Sequence, residues 1–365
     1  MIKSVSLINF RNHKQLNLKF DNNFVYINGI NGSGKTSVLE AINYIATTKS
    51  HRTNNDIDVI RRGEVFSKIV LETTTNKYEL VISEQGKIAS LNNKEVRKLS
   101  DFISKLKVVM FAPEDLNLIK GSPSVRRSFI DLELTKIKRS YLINLTEYRN
   151  ILKQRNALLK NISIDDDLTF LNILGNQLYE VGIKIIDQRA EFINLLNLET
   201  KLVYKDLSEN EIEIIYEPSA NKEAFKKHLT TNQKQDILYQ TTNVGPHRDD
   251  FLVKYNENNA VNSSQGEIRL MVIAIKLGLL KVIKNAVNDE VVLLLDDVLS
   301  ELDHSKQKVI LDKLPKDIQI IINSAIKIKS DKIKIITLKG DKENNEWKKV
   351  WCLEYPNIRR LRTSS

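Results

Sequence analysis

Gly29-Ile30-Asn31-Gly32-Ser33-Gly34-Lys35-Thr36 is the stretch whose reading decides how this chain folds. The apolar Phe24 to Asn28 before it reads as a strand, and Thr36 to Ile45 after it sets Val38, Leu39, Ile42 and Ile45 at helical spacing. Strand, glycine loop and helix in that order fit the G-x-x-x-x-G-K-[ST] pattern, whose chance occurrence in a chain this long is roughly 1%. Each position has a physical task. The glycines let backbone N–H groups turn inward around a phosphate, Lys35 neutralises β- and γ-oxygens, and the Thr36 hydroxyl is offered to magnesium. The pattern implies that Gly29 to Thr36, with Ser37 next in the helix, holds ATP.

Such a site demands a carboxylate at the end of a neighbouring buried strand, and Val291 to Leu295 followed by Asp296-Asp297 supplies it. Asp296 is the expected magnesium ligand with Thr36, and Asp297 the group that orients or deprotonates attacking water. Upstream, Asn262-Ser263-Ser264-Gln265-Gly266-Glu267 opens a helix over Ile268 to Leu280. Ser264 and Glu267 form a capping box, which any helix start can use. A serine hydroxyl, a glycine and the positive end of a helix also make a receptor for a γ-phosphate.

Outward from these motifs, Ile2 to Phe20 alternates as a hairpin with Arg11, Asn12 and His13 at its tip. More hairpin strands are expected over Val65 to Leu91, and an apolar strand over Lys107 to Phe111. From Leu134 to Lys205 the period becomes helical: Tyr141, Leu145, Tyr148, Leu152 and Leu159 share a face, Ile164 to Asp167 breaks it, and Leu168 to Leu202 resumes it. The spacing predicts an antiparallel arm. Glu211 to Tyr216 reads as a strand, Asn221 to Leu229 as a short helix, and α/β character returns at Val244.

Composition narrows the class. A 365-residue chain with 41% hydrophobic residues can bury two cores, and its longest apolar runs fall far short of the roughly 20 residues a membrane span needs. Without a leader-like apolar stretch in Met1 to Arg11, a cytoplasmic, non-membrane protein is expected. The single cysteine, Cys352, excludes an internal disulfide, and the five histidines lack metal-ligand spacing. A net charge of +10 suits a polyanionic partner.

The order of phosphate loop, Ser-Gln-Gly-Glu helix, Leu-Leu-Leu-Asp-Asp and Ser300-Glu301-Leu302-Asp303 resembles that of ABC-type ATPases. Within that class the chain is similar to the RecF family of bacterial DNA replication and repair proteins. The stretches that carry the likeness are Asn9-Phe10-Arg11-Asn12-His13, Lys49-Ser50-His51-Arg52-Thr53, Phe111 to Leu116, Lys120-Gly121-Ser122-Pro123 with Arg126-Arg127, Leu152 to Leu159, Gly245 to Asp250, and Leu295 to Asp303. The resemblance implies an α/β fold, an ABC-type, SMC-head-like P-loop ATPase core, here residues 1–130 with 236–365, carrying an inserted helical arm at 131–235.

It further implies that Ser264, Gln265, Gly266 and Asp303 complete an ATP site on a second copy, and that Arg11 and Asn12 touch nucleotide. The implied activity is ATP-dependent binding of duplex DNA at single-strand gaps by a homodimer, with weak ATP hydrolysis, RecR and RecO as partners, and Mg2+ as the metal. Long cationic side chains suited to DNA phosphates are Arg126, Arg127, Arg139, Lys153 and Arg155. Glu114 or Asp115 takes the place of a γ-phosphate-sensing loop, or simply starts a helix. His247 to Asp250 reads as a structural turn or subunit contact. Ile322-Asn323-Ser324 stands where the family shows a threonine-rich strand end, which leaves Asn323 or Ser324 as the switch residue; the tail 347–365 matches nothing in the family. Two other classes stand beside this one: a nuclease with an ABC head, for which too little chain follows Asp303, and a nucleotide-sensing interaction protein, against which the positive charge speaks.

Overall fold

A computed structural model of the chain describes residues 1–103, 105–287, 289–298, 302, 304–323 and 334–338. The first hairpin is β1 (Ile2–Phe10) and β2 (His13–Lys19), with Val5 opposite Leu18 and Leu7 opposite Leu16, so the apolar set of both strands shares one face. β3 (Phe24–Gly29) runs into the phosphate loop and α1 (Lys35–Thr47) leaves it. The hairpin region contains β4 (Phe66–Thr73), β5 (Lys77–Ser83) and β6 (Gly86–Leu91), then the two-residue β7 (Lys94–Glu95) and the single turn α2 (Leu99–Phe102). β8 (Lys107–Phe111) is buried throughout.

A tight turn at Pro113–Leu116 and the short α3 (Asn117–Lys120) lead to α4 (Pro123–Ile137), α5 (Arg139–Leu159) and α6 (Thr169–Lys205). Then come β9 (Ile212–Glu217), α7 (Lys222–Thr230), α8 (Lys234–Tyr239), β10 (Asp250–Tyr255), β11 (Asn258–Asn259) and α9 (Gln265–Ala286). β12 (Val291–Asp296), α10 (His304–Lys313), β13 (Gln319–Asn323) and β14 (Lys334–Leu338) close the described chain.

Two sheets make the core. β2-β1-β4-β5-β6-β7 is antiparallel, and β14-β3-β13-β12-β8 is parallel. α1 lies between them, touching strands of both, and every residue from Ser37 to Thr47 is buried. The parallel strands read as continuous apolar runs because both faces are covered. Val108, Val292, Leu294 and Ile321 join the cluster around α1, while Val109, Leu293, Leu295 and Ile322 point the other way, toward α9 and the helical arm.

The arm is the antiparallel pair α5 and α6, with α6 laid along α9. Tyr141, Leu145, Tyr148 and Leu159 are buried as the spacing requires; Ile151 takes the buried place expected of Leu152, which packs at its edge. Helix begins at Pro123 rather than Leu134, because proline fits the first helical position and the following charged residues find partners inside the fold. One apolar cluster runs from the parallel sheet through α9 into the arm. The expected domain boundaries fall within α4 and within α8, and β9 of the insertion pairs with β10 of the core.

The Gly245 to Asp250 motif is built into this junction. Buried Arg189 of α6 donates to Asp131 (2.7 Å), Tyr141 Oη (2.9 Å), the Pro246 carbonyl (2.6 Å) and Asp249 (3.3 Å), and Tyr216 also donates to Asp249. His247 Nε2 donates to the Thr242 carbonyl at 2.9 Å, which leaves Nδ1 to accept from Tyr148 Oη at 2.7 Å.

Candidate nucleotide site

The loop after β3 turns through Gly32 (φ 80°) and Gly34 (φ 88°), left-handed conformations that side chains resist. At Gly34 there is a second reason for glycine: a Cβ would stand 2.1 Å from His13 Nε2. The hairpin tip grips the loop, with His13 Nε2 3.1 Å from the Gly34 carbonyl and Asn12 Nδ2 donating to the Gly32 carbonyl at 3.0 Å. Ser37 Oγ donates to Asn12 Oδ1 at 3.3 Å. Lys35 Nζ folds back onto the carbonyls of Gly29 (2.8 Å) and Ile30 (3.0 Å), while Ser33 N–H closes on the Ile30 carbonyl.

β12 ends beside this loop. Asp296 is buried, its Oδ1 accepting from Thr36 Oγ1 at 2.9 Å and from Asn323 Nδ2 at 2.6 Å. Burial pushes the Asp296 carboxyl up to about 6, the two hydrogen bonds opposing that rise. A buried carboxylate with only neutral donors, facing a threonine hydroxyl, is a donor set that fits a hard divalent cation. Asp297 follows in a left-handed conformation (φ 51°), its N–H held by the Asn323 carbonyl at 2.8 Å. Asn323, one of the two switch candidates, thus sits on both aspartates; Ser324 lies outside the described residues. A pocket of about 630 Å³ opens over the loop, lined among others by Arg11, Asn12, Lys35, Thr36, Asp297 and Asn323. Arg52, Asp58 and Arg62 line it too and were not assigned from the sequence.

Of the two residues weighed at the turn after β8, Asp115 serves the turn itself, and neither lines the phosphate-loop pocket. Asp115 caps its own turn at the Ala112 N–H (2.8 Å) and pairs with Lys276 of α9 (2.7 Å), whereas half-exposed Glu114 faces Arg52 at 3.6 Å and His51 at 3.9 Å.

The start of α9 is the capping box read from the sequence. Ser264 N–H donates to Glu267 (2.8 Å), Glu267 N–H donates to Ser264 Oγ (3.3 Å), and Tyr255 of β10 clamps Glu267 from behind (2.9 Å). Ser264, Gln265 and Gly266 are exposed, and a Cβ on Gly266 would meet nothing within 4 Å. None of the three lines the phosphate-loop pocket. Asp303 and the tail 347–365 lie outside the described residues.

The five cations expected to face DNA separate sharply. Arg155 is wholly buried, donating to Asp236 at 2.7 Å and Thr242 at 2.6 Å, and Arg126 is 9% exposed in a two-pronged pair with Asp250 (2.6 and 2.7 Å). Neither guanidinium can reach a phosphate, which corrects the sequence reading: their helical positions turn inward. Arg127 is half-buried on the Asp249 carbonyl at 2.8 Å. Arg139 and Lys153 are exposed, Arg139 beside a groove of about 1220 Å³ that Arg97, Lys98 and Lys184 also line.

Residues 1–337 match the family model described as the RecF/RecN/SMC N terminal domain. A DNA replication and repair protein RecF of Acholeplasma laidlawii is 48% identical over 347 residues, covering 94% of this chain and 99% of that one. The chain belongs to the RecF family. A RecF of Bacillus cytotoxicus is 40% identical over 340 residues, covering 88% of this chain and 91% of its own. Among solved structures, one described as the recombination mediator protein RecF-ATP in the RecFOR pathway superposes with a TM-score of 0.83 at 31% identity, over 90% of this chain and 92% of the other. An Smc head bound to the C-winged helix domain of ScpA shares the fold alone, with a TM-score of 0.52 at 15% identity over 92% of this chain and 94% of that one. RecF proteins act in DNA replication and repair, and this member carries their SMC/ABC-type ATPase fold. No helix among the described residues is long and apolar enough to cross a membrane.

Proposed function

We propose that the chain is an ATP-gated DNA clamp: two copies close on ATP, grip duplex DNA at single-strand gaps, and help load recombinase together with RecR and RecO. The observation that carries the reading is the meeting of Thr36 and Asp296, 2.9 Å apart in space across 260 positions of sequence, beside a loop already shaped for phosphates. Thr36 and Asp296 would hold Mg2+, and Lys35, the loop N–H groups and Ser37 the phosphates, with Arg11 and Asn12 at the rim. Bound magnesium supplies charge neutralisation at the phosphates. Asp297, shorter than a glutamate would be, orients water and sets a slow turnover that times release from DNA.

The exposed Ser264, Gln265 and Gly266 support action in trans. They form a helix start clamped by Tyr255 through Glu267, do not line the chain's own pocket, and leave open space beside the Gly266 Cα. Asp303 is assigned to the same shared site. Backbone phosphates of DNA fall to Arg139 and Lys153, with Arg97, Lys98 and Lys184 along the neighbouring groove. Residues 131–235 act as an arm inserted into the ATPase core.

The test measures binding to gapped duplex DNA, and mass in solution, with and without ATP. The native chain is expected to dimerise and bind DNA more tightly, in a salt-sensitive way, only with ATP. Lys35→Ala loses both responses. Ser264→Arg keeps ATP binding and stays monomeric. DNA affinity indifferent to ATP, or cleavage of the DNA by the native chain, refutes the clamp.

A further inference from the structure

One family-marking stretch, Lys49 to Thr53, brings Arg52 to the pocket rim. Its partner is Glu40, which lies one helical turn beyond Thr36 on α1 with none of its side chain exposed. A carboxylate so placed among Val38, Leu39 and Ile42 is costly unless fully paired. Arg11 donates to it through Nε (2.9 Å) and Nη2 (2.5 Å), Ser50 Oγ donates at 2.5 Å, and Arg52 Nη1 stands 3.9 Å away.

A purely structural role does not account for this arrangement. An apolar side chain would fill the same volume at less cost, and the pair does not seal the core: both arginines line the phosphate-loop pocket. Arg11 is held at every level, with its backbone left-handed (φ 54°), its N–H on the Val59 carbonyl at 2.8 Å and its Nη1 on the Asp58 carbonyl at 2.8 Å. Those bonds use three of the five guanidinium donors and leave two for anionic or hydroxyl oxygens in the pocket. A two-pronged carboxylate pair fixes the plane of a guanidinium, which a single contact does not.

We infer that Glu40 is a positioning residue for nucleotide: its two oxygens aim Arg11 at the phosphates or ribose, and with Ser50 it holds the segment that presents Arg52 to the same pocket. The inference rests on the reading of this pocket as the ATP site.

The test is calorimetric binding of Mg-ATP to the native chain, Arg11→Gln, Glu40→Gln, the double variant and Ser50→Ala, with thermal unfolding of each in the absence of nucleotide. Arg11→Gln and Glu40→Gln are each expected to weaken binding roughly tenfold or more, the size of losing a charged hydrogen bond. The double variant should bind no worse than the weaker single one, since both changes remove the same contact. Ser50→Ala, at a half-buried position the fold tolerates, should cost roughly threefold. Variants that lose melting temperature and bind ATP like the native chain overturn the proposal, as do additive losses in the double variant. If Glu40→Gln fails to fold, unchanged affinity in Ser50→Ala overturns it, and weakened affinity upholds it. A native chain that binds no ATP sinks the pocket reading and this one with it; native binding with indifferent variants sinks this one alone.

Discussion

Arg155 is the residue on which sequence and structure part most sharply, and its replacement tests the packing of the arm. The guanidinium has no exposed surface, and its partner Asp236 is equally buried. Asp236 accepts from Arg155 (2.7 Å), His228 (2.9 Å), and the Asn243 backbone (3.0 Å) and side chain (3.1 Å), so from α8 it ties α5 to α7 and to the loop before Gly245. Removing one member of a buried pair strands the other, at a cost of about 3 to 5 kcal/mol. Set against a total stability of roughly 5 to 15 kcal/mol, that is a large fraction. Arg155→Ala should therefore shift the urea midpoint strongly downward. The folded fraction should keep its ATP-dependent DNA affinity and the slope of log affinity against log salt. Lys153→Ala, two residues earlier and exposed, should do the reverse: unchanged midpoint, and a salt slope reduced by about one. If Arg155→Ala proves as stable as the native chain while its salt slope falls by about one, the burial is wrong and the arginine faces DNA.

Gly34→Ala must adopt φ 88° and place its Cβ 2.1 Å from His13 Nε2. Backbone strain alone costs about 1 to 2 kcal/mol, and the loop must move, so ATP binding measured by calorimetry should be lost while far-UV dichroism stays native. The Asp296 carboxyl is raised to about 6 in the fold against an ordinary 3.8. Its favourable contribution is present below pH 3.8 and lost as pH rises through 6, so at pH 7.5 the ionised form is a liability. Asp296→Asn should raise stability by about 1 to 3 kcal/mol in denaturant titrations without metal, and abolish the magnesium dependence of ATP binding. His247 runs the other way, depressed by burial from 6.5 to about 4. The unfolded chain takes the proton first, so stability present above pH 6.5 is lost as pH falls toward 4, by up to about 3 kcal/mol. In His247→Gln, which can still donate to Thr242 and accept from Tyr148, the denaturation midpoint should fall less over that range; identical slopes would count against the burial.

Local pattern sufficed for much of this protein. The phosphate loop, the strand leading into it, the helix after it, the Ser264 capping box and the acid-ended β12 were all legible, because glycine conformation, capping and strand or helix period act over a few residues. The apolar runs of β8 and β12 read as strands for the same reason. What the sequence left open was decided by pairings across long separations. Arg155 and Lys153 are chemically alike in a helix, and only the tertiary placement of Asp236, 81 positions from Arg155, buries one and leaves the other in water. Glu40 reads as one charged residue in an apolar helix until the hairpin tip and Ser50 close around it. Asn323 acquires its place by lying in the strand beside β12, within reach of Asp296 and Thr36 together. A buried charge is tolerable only where a partner from elsewhere in the chain meets it, and that meeting is a property of the fold.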